Sequence, residues 1–267
     1  VGLGAFWSDD FGSSWNQSAG VPDSAGASTL AVDQANPSIV YAATHKGLFR
    51  SDDAGASFKN VRLPVSDECA GVVENNGPCQ LANVVSDVVV KEPGGVSLAG
   101  LDAVTCDPKG CAVLAAVGYR GGRAPYADGT PQSPGNGLYR SETGEPGTFL
   151  PVGTPPPGNS GGISPNGFAP QNRIGRVELG PAIGPEQDHN IVYAIVQDAV
   201  LLNNGVPVLD IPLDQESPSA PVDCDEFPDG DPRFVCETVL SGFNPTTING
   251  VYVSLDFGGT WRRLADD

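Results

Sequence analysis

The hydrophobic pattern divides residues 28–63 into four short apolar segments separated by turn residues. The segments are TLAVD, SIVYAAT, KGLFRS and FKNVRL, and QANP, HK and DDAGA stand between them. Apolar runs of this length, bounded by Gly, Pro, Asn or Asp, predict β-strands. The second segment is apolar at consecutive positions from Ile39, which is typical of a strand buried on both faces. We therefore predict a four-stranded antiparallel unit that is sandwiched between two neighbours.

The same order of segments recurs twice downstream, and half of it recurs upstream. A repeat of about 40 to 50 residues indicates a propeller or a solenoid. The first 20 residues match only the third and fourth strands of a unit, in GLGAFWS and SSWNQ. We predict about fourteen strands, with LDAVTC as the first strand of the third unit. The units are residues 1–20, 28–63, 100–152 and 173–265.

An eight-residue pattern, Ser-x-Asp-x-Gly-x-x-aromatic, follows the third strand of three of these units. The Asp carboxylate can accept hydrogen bonds from turn amides, the Gly can take a positive φ, and the aromatic side chain can anchor the turn against the sheet. In the third unit the pattern has decayed to SETGEPGTF, where Thr143 replaces the Asp, and we expect a weaker turn there. The intact copies are SDDFGSSW with Asp10 and Gly12, SDDAGASF with Asp53 and Gly55, and SLDFGGTW with Asp256 and Gly258.

This pattern resembles the Asp-box, or bacterial neuraminidase repeat, of sialidases, sortilin-like receptors and xyloglucan-type glycoside hydrolases. The resemblance implies an all-β propeller of four-stranded antiparallel blades, whose Asp-box turns join the third strand to the fourth. Because the first unit lacks inner strands, we expect a propeller that is incomplete in this chain, with about three and a half blades. A further segment or another chain would then complete the ring. The alternative is a small, irregularly closed propeller.

Four long segments interrupt the blade pattern and are predicted to be loops. In the propeller arrangement, all four fall on the rim opposite the Asp-box turns. A binding face built on a rigid scaffold would collect its insertions in this way. The alternative is disordered decoration rich in Pro, Gly and Ser. The loops are residues 64–99, 120–135, 153–172 and 198–248.

Composition excludes some partners. A formal net charge of −18 with only 14 Lys plus Arg argues against nucleic acid and anionic membranes, which both need basic patches. No run of about 18 apolar residues is present, so we predict no membrane span. The chain has neither an initiator Met nor a signal-peptide pattern, and we expect a processed chain or a piece of one.

The six cysteines stand as three close pairs without a Cys-x-x-Cys motif. This favours local disulfides in an oxidising compartment, and hence an extracellular, cell-surface or periplasmic protein. The pair Cys106/Cys111 spans the turn DPKG and is expected to staple it. The other pairs are Cys69/Cys79 and Cys224/Cys236.

The densest acidic cluster is DCDEFPDGD, inside and beside the last cysteine pair. Calcium binds several oxygen ligands from a compact loop, so this segment is a candidate Ca²⁺ site. The alternative is a solvated acidic loop, since the spacing is not that of an EF-hand. The candidate metal ligands are Asp223, Asp225, Asp229 and Asp231.

The resemblance to sialidases would imply an Arg cluster with a Tyr nucleophile at the channel mouth. The Phe-Arg-Ile-Pro motif typical of sialidases is absent, which favours ordinary surface arginines. The position of a catalytic Asp in xyloglucan-type hydrolases holds His45 in this chain, and this departure counts against retained activity at that position. The candidates for the cluster are Arg120, Arg123, Arg173 and Arg176, with Tyr119 or Tyr126.

We therefore expect no catalytic residues and no certain cofactor. The expected function is an exported, non-catalytic recognition or assembly module that binds a partner protein or a glycan through the loop face. The alternative is a glycoside hydrolase of sialidase or xyloglucan type, which would need two carboxyl groups or a Tyr nucleophile in an open cleft.

Overall fold

The computed structural model describes residues 4–23, 25–65, 84–96, 106–118, 135–153, 166–198 and 248–265. These residues form fourteen β-strands and one short 3₁₀ helix, Gln171–Arg173. The strands make three four-stranded antiparallel sheets and one two-stranded sheet. The fold is therefore all-β and built from propeller blades, as the sequence predicts.

The strands of each sheet follow one another in chain order, as in a propeller blade. The half blade is β1 (Phe6–Trp7) and β2 (Asn16–Gln17). The second blade is β3 (Ala27–Val32), β4 (Val40–Thr44), β5 (Gly47–Ser51) and β6 (Lys59–Asn60). The third blade is β7 (Val85–Val90), β8 (Val113–Val117), β9 (Gly137–Ser141) and β10 (Leu150–Val152). The fourth blade is β11 (Ile174–Pro181), β12 (Val192–Asp198), β13 (Ile248–Ser254) and β14 (Arg262–Ala265).

The half blade stands apart from the last blade. Strand β1 pairs only with β2 among the described residues, with Phe6 opposite Gln17 and Trp7 opposite Asn16. Strand β14 pairs with β13. Within the part of the chain that the structure describes, the sheets do not close into a ring, which confirms the expected arrangement.

The first strand of the third blade differs from the prediction. It is VSDVVV, Val85–Val90, which lies inside the predicted loop 64–99, so that loop boundary is wrong. Ser86 and Asp87 interrupt the apolar pattern, yet both side chains are buried and bonded to the next blade. Ser86 Oγ donates to the carbonyl of Val177 (3.0 Å), and Asp87 Oδ2 accepts from the amide of Leu179 (2.7 Å). Most of the predicted strand LDAVTC lies outside the described residues.

The position of β7 changes the rim to which one predicted insertion is assigned. The rim that carries the Asp-box turns also carries every first-to-second strand connection, and we call it the box rim. Residues 91–112 join β7 to β8 and therefore belong to the box rim. Part of the predicted loop 153–172 also differs, because Phe168 is buried against Tyr252 and Trp261 of the fourth blade. The rim opposite the boxes, which we call the loop rim, carries the strand ends that flank residues 118–136 and 199–247.

The hydrophobic core lies between successive blades. We call the side of a blade that meets the next blade along the chain its forward face. Tyr41, Leu48 and Val61 on the forward face of the second blade share one core cluster with Val113 and Tyr139 of the third blade. The forward face of the third blade joins the next cluster through Leu114, Ala116 and Leu138, which pack against Val192, Tyr252 and Trp261. Burial of apolar area between stacked sheets is therefore the main stabilising contribution.

One of the three predicted disulfides lies among the described residues. Cys106 and Cys111 are bonded, with Cα atoms 4.5 Å apart, across the turn from Asp107 to Gly110. The two other cysteine pairs lie outside the described residues and stay predictions. In the described ranges no helix has the length and apolar character needed to cross a membrane.

Replacing Leu114 with Ala tests the inter-blade core. Leu114 is fully buried on the forward face of the third blade, so we expect a loss of about 2 to 5 kcal/mol in the free energy of unfolding. Leu150→Ala is the matched control, because Leu150 is exposed on β10 and should change stability by less than about 0.5 kcal/mol. Chemical denaturation followed by tryptophan fluorescence measures both. Equal losses in the two variants would contradict a core between the blades.

Candidate functional site

The three intact turns that resemble Asp-boxes, which we call boxes, are structural, as the sequence predicts. In the last box, Ser254 Oγ donates to Asp256 Oδ1 (2.8 Å) and accepts from the amide of Gly258 (2.7 Å). Asp256 then accepts from the amide and the hydroxyl of Thr260, both at 2.8 Å. The Ser and Asp side chains thus bind the turn at both ends. Each carboxylate oxygen is occupied by a donor of its own turn.

The other two intact boxes repeat these bonds. Asp53 accepts from the amide of Ser57 at 2.7 Å and from its hydroxyl at 2.6 Å. Asp10 accepts from the amide of Ser14 at 2.9 Å and from its hydroxyl at 2.7 Å. The three boxes are therefore the same local structure, as the sequence predicts.

Two successive residues in each box adopt left-handed backbone conformations. Phe257 has φ 54° and Gly258 has φ 90°. The sequence predicts the glycine but not the residue before it, because a positive φ is unfavourable for a non-glycine residue. The bonds from the Ser and Asp side chains hold that residue in place. The equivalent pairs are Phe11 with Gly12 and Ala54 with Gly55.

Hydrogen bonding lowers the pKa of all three box carboxyls. The Ser14 amide and hydroxyl lower the pKa of Asp10 to about 2. For Asp53 the main cause is the Ser57 hydroxyl. Burial by itself would raise the pKa of Asp256, but the bonds from Thr260 and Ser254 outweigh it and lower the pKa. These groups stay ionised at neutral pH and are poor proton donors.

The decayed box keeps the hydrogen bonds of its Ser but has no Asp to make the others. Ser141 Oγ still accepts from the amides of Thr143 (3.2 Å) and Gly144 (2.7 Å). In place of a carboxylate, the hydroxyl of Thr148 contacts Ser141 Oγ. The turn therefore loses the charge-assisted bonds of the other boxes, which agrees with the weaker turn expected.

Two arginines connect the decayed box and the last box to the blade that precedes each of them. Arg50, on the third strand of the second blade, donates to the carbonyls of Thr143 (3.1 Å) and Lys109 (2.9 Å). Arg140 holds the same position in the third blade and donates to the carbonyl of Asp256 (3.1 Å). An acidic residue two positions later fixes each guanidinium, Asp52 at 2.9 Å and Glu142 at 2.7 Å. These cations are therefore structural links between blades.

The third blade makes a second polar link on the box rim. Lys91 Nζ donates to Asn190 Oδ1 at 2.6 Å and lies 5.6 Å from the centre of the Phe257 ring. Burial is the main cause that lowers the pKa of Lys91. His189 lies beside this link, with its two ring nitrogens 3.1 Å and 2.7 Å from the carbonyl oxygens of Glu92 and Gly184. This part of the box rim is occupied by blade-to-blade contacts.

A buried polar network lies on the loop rim of the fourth blade. Asp198 is fully buried at the end of β12, and its Oδ2 accepts from Arg173 Nε (2.7 Å) and from Asn249 Nδ2 (2.9 Å). Tyr252 OH donates to Asn249 Oδ1 at 2.6 Å. Asp198 and Asn249 stand on the two strands that flank residues 199–247. The network therefore fixes both ends of the longest insertion.

Two arginines of the candidate cluster lie among the described residues, and they have different partners. Arg173 belongs to the Asp198 network, whereas Arg176 pairs with Glu178 and is half exposed. The remaining candidates, Arg120, Arg123, Tyr119 and Tyr126, lie outside the described residues. His45 stands at the position that resembles that of a catalytic Asp in xyloglucan-type hydrolases. Its Nδ1 accepts a hydrogen bond from the amide of Gly26 at 2.7 Å. Its visible role is to hold a turn beside β4.

The predicted calcium ligands also lie outside the described residues, so that site stays a prediction. They are Asp223, Asp225, Asp229 and Asp231. In the described ranges, no group of three His, Cys, Asp or Glu side chains is arranged to hold a metal ion.

Comparison with known proteins gives only distant likenesses. No family model matches the chain, and no curated protein matches it. Its structure is similar to a GH74 enzyme of Niastella koreensis, at 15% identity and a TM-score of 0.42, over 100% of this chain and 27% of that one. A GH74 xyloglucanase from Xanthomonas campestris is similar at 16% identity and a TM-score of 0.28, over 92% of this chain and 30% of that one. The chain thus spans less than a third of the length of either.

Replacing Asp256 with Asn tests the role of the box carboxylate. A lowered folded-state pKa stabilises the fold above the unfolded pKa of about 3.9, and this contribution is lost as the pH falls through the folded value. We expect the variant to be destabilised at pH 7 by roughly 1 kcal/mol for each lost hydrogen bond, and by less at about pH 2. Asp9→Asn is the control, because Asp9 is exposed and takes no part in the bonds of its box. A loss in Asp256→Asn that is the same at both pH values would contradict this role.

Replacing Arg140 with Met tests the link between blades. The variant keeps much of the side-chain volume but loses the bonds to the Asp256 carbonyl and to Glu142, so we expect a loss of about 1.5 to 3 kcal/mol in the free energy of unfolding. Arg176→Met removes an exposed ion pair and should cost at most about 1 kcal/mol. Thermal unfolding measures both. If Arg176→Met is the more damaging change, Arg140 is not an inter-blade link.

Proposed function

We propose that this chain is an exported, non-catalytic recognition module that binds a partner protein or a glycan through its loop rim. The insertion of residues 199–247 is its main binding element. The observation that carries the proposal is the buried network of Asp198, Arg173 and Asn249 at the base of this insertion. The blades supply a rigid support, and the insertion supplies the specificity.

Burying this polar network costs free energy unless every member is hydrogen-bonded. The complete bonding therefore favours a role in positioning the two strand ends. A fully buried carboxylate is stable only when it is paired and hydrogen-bonded. Asp198 meets this condition through Arg173, the last residue of the 3₁₀ helix before β11, and Asn249 on β13. Both strand ends are thereby held in one geometry. Binding loops on rigid elements present their contacts at a lower entropic cost than free loops.

Several described carboxylates support a non-catalytic role because their oxygens accept hydrogen bonds within the fold. Asp33 is fully buried and accepts the amides of Ala35 (2.8 Å) and Cys111 (2.8 Å). Asp87 accepts the amides of Val88 (2.8 Å) and Leu179 (2.7 Å). A glycoside hydrolase of the usual kind needs one carboxyl group with a raised pKa. Hydrogen bonding lowers the pKa of the three box carboxyls instead.

Export is supported by the bonded pair Cys106 and Cys111. Disulfides persist in oxidising compartments and are rare in the cytosol of most organisms. The net charge of −18 is consistent with a soluble partner rather than an anionic surface.

Trimming residues 199–247 to a short Gly-Ser turn tests the proposal. The blades should stay folded, because loop length contributes little to stability and the core lies between the sheets. Binding should fall to background in a glycan array that includes xyloglucan and sialylated oligosaccharides, if the wild-type chain binds any of them. Asp256→Asn is the matched control, since it weakens a box and should leave binding intact.

Two outcomes would contradict the proposal. The trimmed protein could bind a glycan as the wild type does, which would exclude the insertion as the binding element. The wild type could release reducing sugar from xyloglucan or sialic acid from the oligosaccharides, which would favour the alternative, a glycoside hydrolase. A wild type that binds none of the glycans excludes the glycan form of the proposal and leaves a protein partner to be sought with the same two variants.

A further inference from the structure

Three side chains meet on the box rim, where the third blade contacts the fourth. Lys91 follows the first strand of the third blade, and Asp188 and Asn190 precede the second strand of the fourth. Lys91 Nζ lies 2.6 Å from Asn190 Oδ1, and Asn190 Nδ2 lies 2.8 Å from Asp188 Oδ1. The side-chain amide of Asn190 therefore contacts an amine of the third blade at one end and a carboxylate of its own blade at the other.

The orientation of the Asn190 amide follows from these two neighbours. A lysine nitrogen donates to an amide oxygen and a carboxylate accepts from an amide nitrogen, so the reverse orientation would place donor against donor and acceptor against acceptor. The backbone of Asn190 is held as well. Its amide donates to Asp188 Oδ1 (3.0 Å), and its carbonyl accepts from the amide of Phe257 (2.7 Å). The side-chain carbonyl of Asn190 is therefore presented to Lys91 in one fixed position.

The side-chain carbonyl carbon of Asn190 is within reach of the Lys91 nitrogen. This carbon is one bond of about 1.23 Å from Oδ1, so it lies at most about 3.8 Å from Nζ. Two groups that are held with their reacting atoms about 3 to 3.5 Å apart gain much of the rate advantage of an intramolecular reaction. The amine and the amide are therefore placed to react with each other.

The surroundings of Lys91 favour its neutral, nucleophilic form. Burial is the main cause that lowers the pKa of Lys91, and the positive charge of Arg140 lowers it further. Nearby carboxylates, Asp188 among them, oppose this effect without reversing it. Nζ also lies 5.6 Å from the centre of the fully buried Phe257 ring, which shields it on one side. A lysine that is partly desolvated in this way is an activated nucleophile.

We propose that Lys91 and Asn190 form an amide bond that cross-links the third blade to the fourth. The neutral Nζ attacks the side-chain carbonyl carbon of Asn190, the new bond from that carbon to Nζ forms, and the bond from the carbon to Nδ2 breaks. The proton that Nζ loses ends on the leaving nitrogen, which departs as ammonia. One amide is exchanged for another, so the reaction needs no oxidant, reductant or cofactor.

Asp188 is the group that carries this proton. Its side chain is buried, and its Oδ1 contacts the leaving nitrogen of Asn190. A carboxylate in this place accepts the proton released in the attack and returns it to the leaving nitrogen, which is general acid–base catalysis. The transfer matters because the nitrogen leaves as neutral ammonia only after it has gained a proton.

The cross-link lies on the box rim and is independent of the loop surface in the proposed function. It joins residues 99 positions apart, next to the contact that Arg140 makes with the last box. A covalent bond across so long a segment restricts the unfolded chain in the way that a disulfide does. The cross-link therefore reinforces the contact between the third and fourth blades.

Mass spectrometry of the intact chain, with its disulfides reduced, tests the cross-link. The wild type should be lighter by one ammonia than its sequence requires. Trypsin should leave Lys91 uncleaved, in a peptide that is joined to the peptide containing Asn190. Lys91→Arg keeps the charge and the hydrogen-bond donors but cannot form this amide, so it should have the full mass. Lys109→Arg is the matched control, because Lys109 pairs with the exposed Glu145 carboxylate, and it should lose the ammonia like the wild type.

Asp188→Asn tests the proton carrier. The variant keeps the shape of the side chain but cannot accept and return a proton, so it should have the full mass of its sequence. Circular dichroism checks that it keeps the β-sheet signal of the wild type. A folded Asp188→Asn that loses the ammonia as fast as the wild type would exclude Asp188 as the proton carrier.

Three results would overturn the cross-link. They are a wild type with the full mass of its sequence, a loss of ammonia that persists in Lys91→Arg, and a digest without the joined peptide. A succinimide at an Asn-Gly pair also releases one ammonia, but it joins no two peptides and would remain in Lys91→Arg. The mass and the digest of the wild type decide the question even if a variant does not fold.

Discussion

The burial of the forward faces of the second and third blades against the box turn of the next blade is the contact on which the rest of the described structure depends. Tyr41 reaches the decayed box so closely that a Cβ on Gly144 would collide with its hydroxyl, and a Cβ on Gly258 would lie 2.9 Å from the methyl groups of Leu114. The box glycines therefore serve two purposes, a positive φ and room for the neighbouring blade. This explains why the decayed box has lost its Asp but kept a glycine.

Polar side chains support the same stacking of blades. Their hydrogen bonds to neighbouring blades make them less available for catalysis. Arg50 and Arg140 donate to box carbonyls of the next blade, and Ser86 and Asp87 bond the inner strand β7 to β11. In the folded chain their donors and acceptors serve blade-to-blade contacts. Specific function is therefore expected in the insertions, which the blades hold in place.

The sequence predicts the box turns and most strands well because both are encoded locally. Eight residues contain every donor and acceptor of a box, so the bonds of Asp10, Asp53 and Asp256 follow from the motif itself. The bond between Cys106 and Cys111 joins residues only five positions apart. Strand β7 was missed for the opposite reason, because the partners of Ser86 and Asp87 lie about 90 residues further along the chain.

The sequence by itself determined the blade repeat, the box geometry and the turn that Cys106 and Cys111 close. Only the tertiary structure decided which copies of the motif are covered. Trp15 and Trp261 end the same pattern, yet the first is 63% exposed and the second 6%, because among the described residues only the second is covered by a preceding blade. It also decided the role of Asp198, whose partners Arg173 and Asn249 come from the 3₁₀ helix before β11 and from β13. Local bonds depend on neighbours in sequence, whereas burial depends on neighbours in space.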